Sequence, residues 1–365
     1  MREHHLDGLR GWASLFVVFS HLGPMFLLAG QRFSVVPFLW DGELAVYVFF
    51  ALSGYVLSVD HFRRGQRADA VLQAVRRYPR LTVPIFASCA IAVALQKMGL
   101  FFNAPAGALV HSPWLESFYR FDLTWPGLVR FAGWDVYAHY DSQTTYNAVL
   151  WTMSYEMLGS LLIFGLLFIA GPSRMLQAGL ILAFAGWAAW ANSPLFAFAM
   201  GMAIAFWSAS AMSRDSMATQ WVGAALLPAV LVAAMCRALG DSPIAFSTYA
   251  AGTLLAVQLL PRLQVALANR TSRWLGRLSF PLYLTHLLVI CSLSSYLVIA
   301  LADQGELPAG ARAAIALATL GASVLAATLF APVETAAVRW ARGVSRLATA
   351  ALRFRGPPPV AGGQG

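Results

Sequence analysis

Along the chain, apolar residues gather in long runs broken by few charges and separated by polar stretches in which arginine recurs. Runs of roughly 17–25 such residues are long enough to cross a hydrocarbon core. They predict about ten transmembrane helices, at 11–30, 44–59, 81–101, 148–170, 176–191, 195–211, 220–236, 244–260, 280–301 and 313–331. The expected fold is all-α, a polytopic membrane bundle occupying residues 1–346. The first run exceeds the apolar region of a secretory signal and no small-residue cleavage pattern follows it, so it is expected to stay in the mature chain.

Two stretches stand apart from this pattern. Residues 102–147 form a segment long for a connection and rich in aromatic and acidic side chains. Residues 347–365 end in "RFRGPPPVAGGQG", a Pro/Gly-rich tail expected to be disordered. No internal repeat and no second, soluble domain is visible.

Arginine placement orients the helices. One set of connections holds Arg2, then Arg63, Arg64, Arg67, Arg76, Arg77 and Arg80, then Arg174, Arg214, Arg262, Arg270, Arg273, Arg277 and a tail with Arg339, Arg342, Arg346, Arg353 and Arg355. The other holds Arg32, Lys97, Arg120, Arg130, Arg237 and Arg312. Alternating sides through an even number of spans puts every rich connection on one face. The positive-inside rule makes that face cytoplasmic, with both termini on it and the plasma (inner) membrane as the expected location.

Composition agrees: 59% of residues are hydrophobic and 11% charged, against about 25% charged in soluble domains. The net charge of +9 follows from the topology. The arginines lie between spans without an aromatic-basic platform, so no nucleic-acid partner is expected. Cys89, Cys236 and Cys291 lie in or at the ends of apolar runs without metal or disulfide spacing; they read as packing residues, and no metal is expected.

A few ionisable groups interrupt the apolar runs. In "LRGWASLFVVFSH", Arg10 and His21 are eleven residues apart, which in a helix is about three turns and a rise of about 16 Å on one face. Arg10 then lies at the cytoplasmic mouth and His21 near mid-membrane. A histidine there is either hydrogen-bonded between helices or a functional group. In "YNAVLWTMSYEMLGS", Glu156 shares a face with Thr152 and Ser160. In "LGRLSFPLYLTHLLV", His286 again falls near mid-membrane, with Ser279 on its face and Tyr283 beside it. Three such groups at similar depth, His21, Glu156 and His286, are expected to act together.

"RRYPRLTVP" places Arg77 and Arg80 at i, i+3 before an apolar run, with Pro79 interrupting the helix start. Their guanidinium forks suit phosphate, although basic residues here also serve topology. In "FFALSGYVLS", Ser53 and Gly54 read as close-packing residues, because no histidine stands beside Ser53 in sequence. The aromatics Trp114, Phe118, Tyr119, Trp125, Trp134, Tyr137 and Tyr140 alternate with Glu116, Asp122, Asp135 and Asp141. That mixture suits stacking on sugar faces and equally suits interfacial anchoring.

Taken in order, "LDGLRGWASLFVVFSH", "FFALSGYVLS", "RRYPRL", "LWTMSYE" and "LGRLSFPLYLTH" resemble the motifs of the integral-membrane acyltransferase family 3 over nearly the whole chain. The resemblance implies an enzyme that moves an acyl group, often acetyl, from cytoplasmic acyl-CoA to a hydroxyl of a carbohydrate or glycoconjugate acceptor. It matches Arg10 and His21 to the family's essential pair, Arg77 and Arg80 to its RxxR motif, and Glu156 to the acid after LW. Where many bacterial members carry a second acid and an aromatic run, this chain has Met157, Leu158 and Gly159. A mechanism consistent with the residues and the resemblance makes His21 the base, with Glu156 orienting or charge-stabilising its imidazole, Arg10, Arg77 and Arg80 on the CoA phosphates and His286 either a second base or a structural neighbour. A proton-coupled secondary transporter relaying protons through His21, Glu156 and His286 is the alternative reading, and a non-catalytic sensor or scaffold the third.

Overall fold

A computed structural model describes residues 3–22, 41–210, 216–302 and 307–354. Among them there is no strand. The helices are α1 (His4–Leu22), α2 (Gly42–Arg64), α3 (Arg67–Lys97), α4 (Asn103–Leu109), α5 (Pro113–Glu116), α6 (Trp125–Arg130), α7 (Val136–Ala138), α8 (Thr152–Ala170), α9 (Arg174–Trp190), α10 (Leu195–Ser210), α11 (Met217–Met235), α12 (Pro243–Leu259), α13 (Pro261–Leu267), α14 (Arg270–Val289), α15 (Ser295–Leu301) and α16 (Ala309–Phe354). Polar side chains set several starts: Asp41 caps α2 by accepting from Leu44 N at 2.9 Å, and Asn269 caps α14 through Ser272 N at 2.8 Å. Arg2, Arg32, Arg214, Arg355 and residues 23–30 of the first predicted helix lie outside the described residues.

All ten predicted segments hold helix where described, but among the described residues six helical segments are long and apolar enough to cross a membrane. α9 has 17 residues; at 1.5 Å per residue it reaches about 26 Å, short of a ~30 Å core, and the described part of α10 has 16. The predicted 244–260 run is α12, after which the chain bends by 100° at Leu260–Pro261 into α13. α3 differs too: it passes unbroken through Pro79 and Pro84, so Pro79 lies within a helix rather than interrupting its start. α16 continues to Phe354, well into the expected tail. Apolar side chains such as Leu182, Trp221 and Leu329 face outward, as a lipid-facing belt requires. Cys89 and Cys291 are buried, whereas Cys236 is exposed at the end of α11.

Two ends of the bundle can be told apart. Glu3 accepts from Arg63 Nη2 at 2.8 Å and from the Tyr55 hydroxyl at 3.1 Å. Burial pushes the Glu3 carboxyl up, but Arg63, Gln258 and His5 together outweigh it and hold the group below its usual range. The start of α1, the end of α2 and the start of α3 thus meet at an arginine-rich end. At the opposite end Ser20 packs against Gly42.

Glycines allow the helices that carry the site to touch backbone to backbone. A Cβ on Gly11 would collide with Leu275 and Gly276, and one on Gly276 with the Asp7 carbonyl; Gly54 and Gly201 play the same part between α2 and α10. Gly11→Val is therefore expected to force α1 off α14 and sharply lower the yield of monodisperse protein on size-exclusion chromatography. Gly165→Ala, where an added Cβ meets nothing within 4 Å, should behave as wild type. Equal yields would show that this contact does not hold α1.

The 102–147 stretch folds into a cap of short helices over the opposite end. Asn103 Nδ2 donates to the carbonyls of Leu115 at 3.1 Å and Phe118 at 2.8 Å, folding α4 onto α5. A π-helical turn, Ile290–Ser294, follows α14; the Cys291 carbonyl in it accepts from Phe102 N at 2.9 Å, so the bulge anchors the cap. Gln96 on α3 adds two bonds, donating to the Phe121 carbonyl at 2.7 Å and accepting from Leu123 N at 2.6 Å.

Candidate active site

Two cavities lie along the inner face of α1. The one nearer the arginine-rich end, of about 100 Å³, is lined by Arg10, Ser53, Arg77, Arg80, Glu156, Ser279, Tyr283 and Glu334. Arg77 forms an ion pair with Glu156 Oε1, and Ser53 Oγ donates to the same oxygen at 2.6 Å. Arg10 and Arg80 lie in the field of Glu334. Three arginines against two glutamates leave the wall with excess positive charge. Arg77 also keeps a buried Nε–H without a partner among the described residues, a donor free for a bound anion or carbonyl oxygen.

The second cavity, of about 580 Å³, opens beneath the cap and is lined by His21, Glu43, Trp114, Phe118, Tyr140, Gln143 and Tyr283, among others. Tyr283 and Val46 border both spaces. His21 Nδ1 lies 2.9 Å from His286 Nε2, and the His21 ring stacks on Trp114 with centroids 5.1 Å apart. Tyr283 is pinned by Thr152 at 2.8 Å and by the Val149 carbonyl. Burial pushes the Tyr140 phenol above its ordinary range, so it stays a neutral hydroxyl. The wall is aromatic and rich in neutral polar groups, with Glu43 its one acid.

The structure joins the predicted residues differently from the sequence reading. Glu156 does not orient His21: its carboxylate bonds Arg77 and Ser53, and His21 bonds His286. Depth is the reason. Ser53, on Glu156, lies eleven residues along α2 from Gly42, which packs beside His21's neighbour Ser20; that is about 16 Å. Glu156 is therefore level with Arg10, and His21 and His286 alone share the outer level. Arg10, Arg77 and Arg80 do converge.

Ser53 was assigned to packing, yet it bonds a carboxylate 103 residues away in sequence. Glu334 was missed; a lone acid just past an apolar run was its signal. The cap aromatics divide. Trp114, Phe118 and Tyr140 line the cavity, Tyr119 stacks on Phe101, Tyr137 bonds Thr82 at 2.9 Å, and Trp125 and Trp134 face outward. Among the described residues no group of three His, Cys, Asp or Glu is placed to hold a metal ion.

The acyltransferase-domain family model matches residues 3–330, a span that contains every residue of both cavities except Glu334. An O-acetyltransferase of Phomopsis amygdali, PaAT-1, is 27% identical over an alignment 360 residues long that covers 77% of this chain and 71% of the relative. No solved structure matches the chain. With the family model spanning nearly all of the helical bundle, the chain belongs to the acyltransferase family 3 and is a membrane O-acyltransferase.

Proposed function

We propose that the protein transfers an acyl group, acetyl by preference, from cytoplasmic acyl-CoA to a hydroxyl of a carbohydrate or glycoconjugate at the opposite face of the plasma membrane. In this reading the ten helical segments all cross or enter the bilayer and both termini are cytoplasmic. The carrying observation is the pairing of an arginine-lined cavity with an aromatic one, free of arginine among the described residues, that holds His21, the two meeting at Tyr283 and Val46. Acyl-CoA has the same polarity: anionic phosphates at one end, a long neutral arm, and the thioester at the other. PaAT-1, by its name, handles an acetyl group.

In the proposed reaction Arg10 and Arg80 hold phosphate, and the arm follows the face of α1 toward His21, about 16 Å away. The acceptor hydroxyl enters beneath Trp114 and attacks the thioester carbonyl. His21 takes the hydroxyl proton, the C–S bond breaks, and the proton passes to the leaving thiolate so that CoA departs as the thiol. A wall of hydroxyl, amide and aromatic groups with an acid, Glu43, suits a polyhydroxylated acceptor.

The direct test incubates purified protein with radiolabelled acetyl-CoA and a cell-envelope extract. Label in a glycan fraction with release of free CoA is expected; label transported without CoA release would overturn the reading in favour of a carrier. The site also sets a finer expectation. Arg80→Lys keeps the charge and loses the planar fork, so it should raise the acyl-CoA KM severalfold with kcat little changed, because uniform binding is what it removes. An unchanged KM would remove Arg80 from the donor site.

A further inference from the structure

His286 lines neither cavity. It is fully buried and bonded on both ring nitrogens: Nδ1 lies 2.9 Å from the Leu282 carbonyl and Nε2 lies 2.9 Å from His21 Nδ1. A carbonyl oxygen only accepts, so His286 Nδ1 carries a hydrogen. In a neutral imidazole the other nitrogen is then a bare acceptor. The only way to satisfy the bond to His21 is for His21 Nδ1 to donate.

From this chain of donors, resting on the proposed role of His21 as base, we infer that His286 is the positioning residue of the acyl transfer: it fixes His21 as the Nδ1–H tautomer and leaves the lone pair on His21 Nε2 for the acceptor hydroxyl. Leu282 O, His286 and His21 together form a carbonyl–imidazole–imidazole relay in the place that a carboxylate–imidazole pair fills in many hydrolases. When His21 takes the proton at Nε2, its Nδ1–H bond to His286 becomes charge-assisted and strengthens. Transition-state charge is thereby stabilised without a carboxylate, which accounts for Glu156 standing at another level. The rings of His21 and His286 are within 9° of parallel, and Trp114 stacks on His21 at 29°, so the imidazole plane is fixed as well as its tautomer.

The test compares two uncharged amides. In His286→Gln the side chain reaches the position of Nε2 and still offers an acceptor to His21. His286→Asn is one carbon shorter; it keeps a donor for Leu282 O and leaves His21 without its acceptor. Gln is expected to keep kcat within about tenfold of wild type, and Asn to lose about a hundredfold or more, both with acyl-CoA KM unchanged within about twofold. Equal kcat for the two variants overturns the relay. His21→Gln, assayed in parallel, separates the readings: if it stays active the base itself is wrong, and if it is inactive while Asn equals Gln only the relay fails. A measurement on wild type stands even should a variant misfold. With ¹⁵N-labelled histidine, the nitrogen shifts of His21 should report a protonated Nδ1 and bare Nε2 at neutral pH; the opposite tautomer overturns the inference.

Discussion

His21→Gln is expected to cut acyl transfer by about 10²- to 10⁴-fold, the range that a positioned base supplies, while leaving expression, chromatographic behaviour and acyl-CoA affinity close to wild type. The separation follows from where the side chain lies. His21 is half-buried on the wall of the larger cavity, and among the described residues its hydrogen bond is to His286. Glutamine is polar, uncharged and fills a similar volume, and packing between α1 and α14 is secured elsewhere, by the contact of Gly11 with Gly276, so the fold should not depend on the Nδ1 bond. What glutamine cannot do is accept a proton at neutral pH. Donor binding resides about 16 Å away at the arginines and should not change, which places the whole loss in kcat. Measured with acetyl-CoA turnover and a soluble sugar acceptor, a variant retaining more than about a tenth of wild-type kcat lies outside the range for loss of a base and would remove His21 from that role.

The helical segments and two functional alignments were legible in the sequence because both are properties of a single helix. Arg10 and His21 share a face through the helical repeat, and Arg77 and Arg80 converge on one cavity through their i, i+3 spacing. Relations between helices were less legible. The expectation that Glu156 shares the depth of His21 treats each helix alone, but the chain enters α8 through a 3₁₀ turn, Ala148–Trp151, and the depth of a residue depends on how far each helix slides past its neighbours. Nothing in "FFALSGYVLS" announces that Ser53 meets Glu156. The shortness of the apolar runs over α9 and α10 is legible from hydropathy, but the 100° turn from α12 into α13 is not.

Breaking the ion pair between Arg77 and Glu156 is expected to destabilise the bundle by about 3–5 kcal/mol for either single alanine substitution, and the double substitution Arg77→Ala/Glu156→Ala by clearly less than the sum. Arg77 is 7% exposed and Glu156 13%, so removing one partner strands a buried charge. For Glu156→Ala the stranded group is a guanidinium already short of a partner at Nε and facing Arg10 and Arg80 across a cavity of about 100 Å³; like-charge repulsion then adds to lost solvation. For Arg77→Ala the stranded carboxylate keeps the Ser53 bond at 2.6 Å, so its loss should be the smaller of the two. Removing both leaves neutral surface and relieves the unpaired charge, with a coupling energy within the 0.5–3 kcal/mol typical of groups in direct contact. Arg77→Lys tests the same pair against the donor-site reading. Lysine can keep the charge pairing with Glu156, so stability should stay near wild type, while loss of the Nε–H should weaken acyl-CoA binding, as for Arg80→Lys. The measurement is a denaturant-unfolding series on the detergent-solubilised variants. Strict additivity of the two alanine substitutions would show that the two side chains do not stabilise one another, and the arginine would then be free to serve the donor alone.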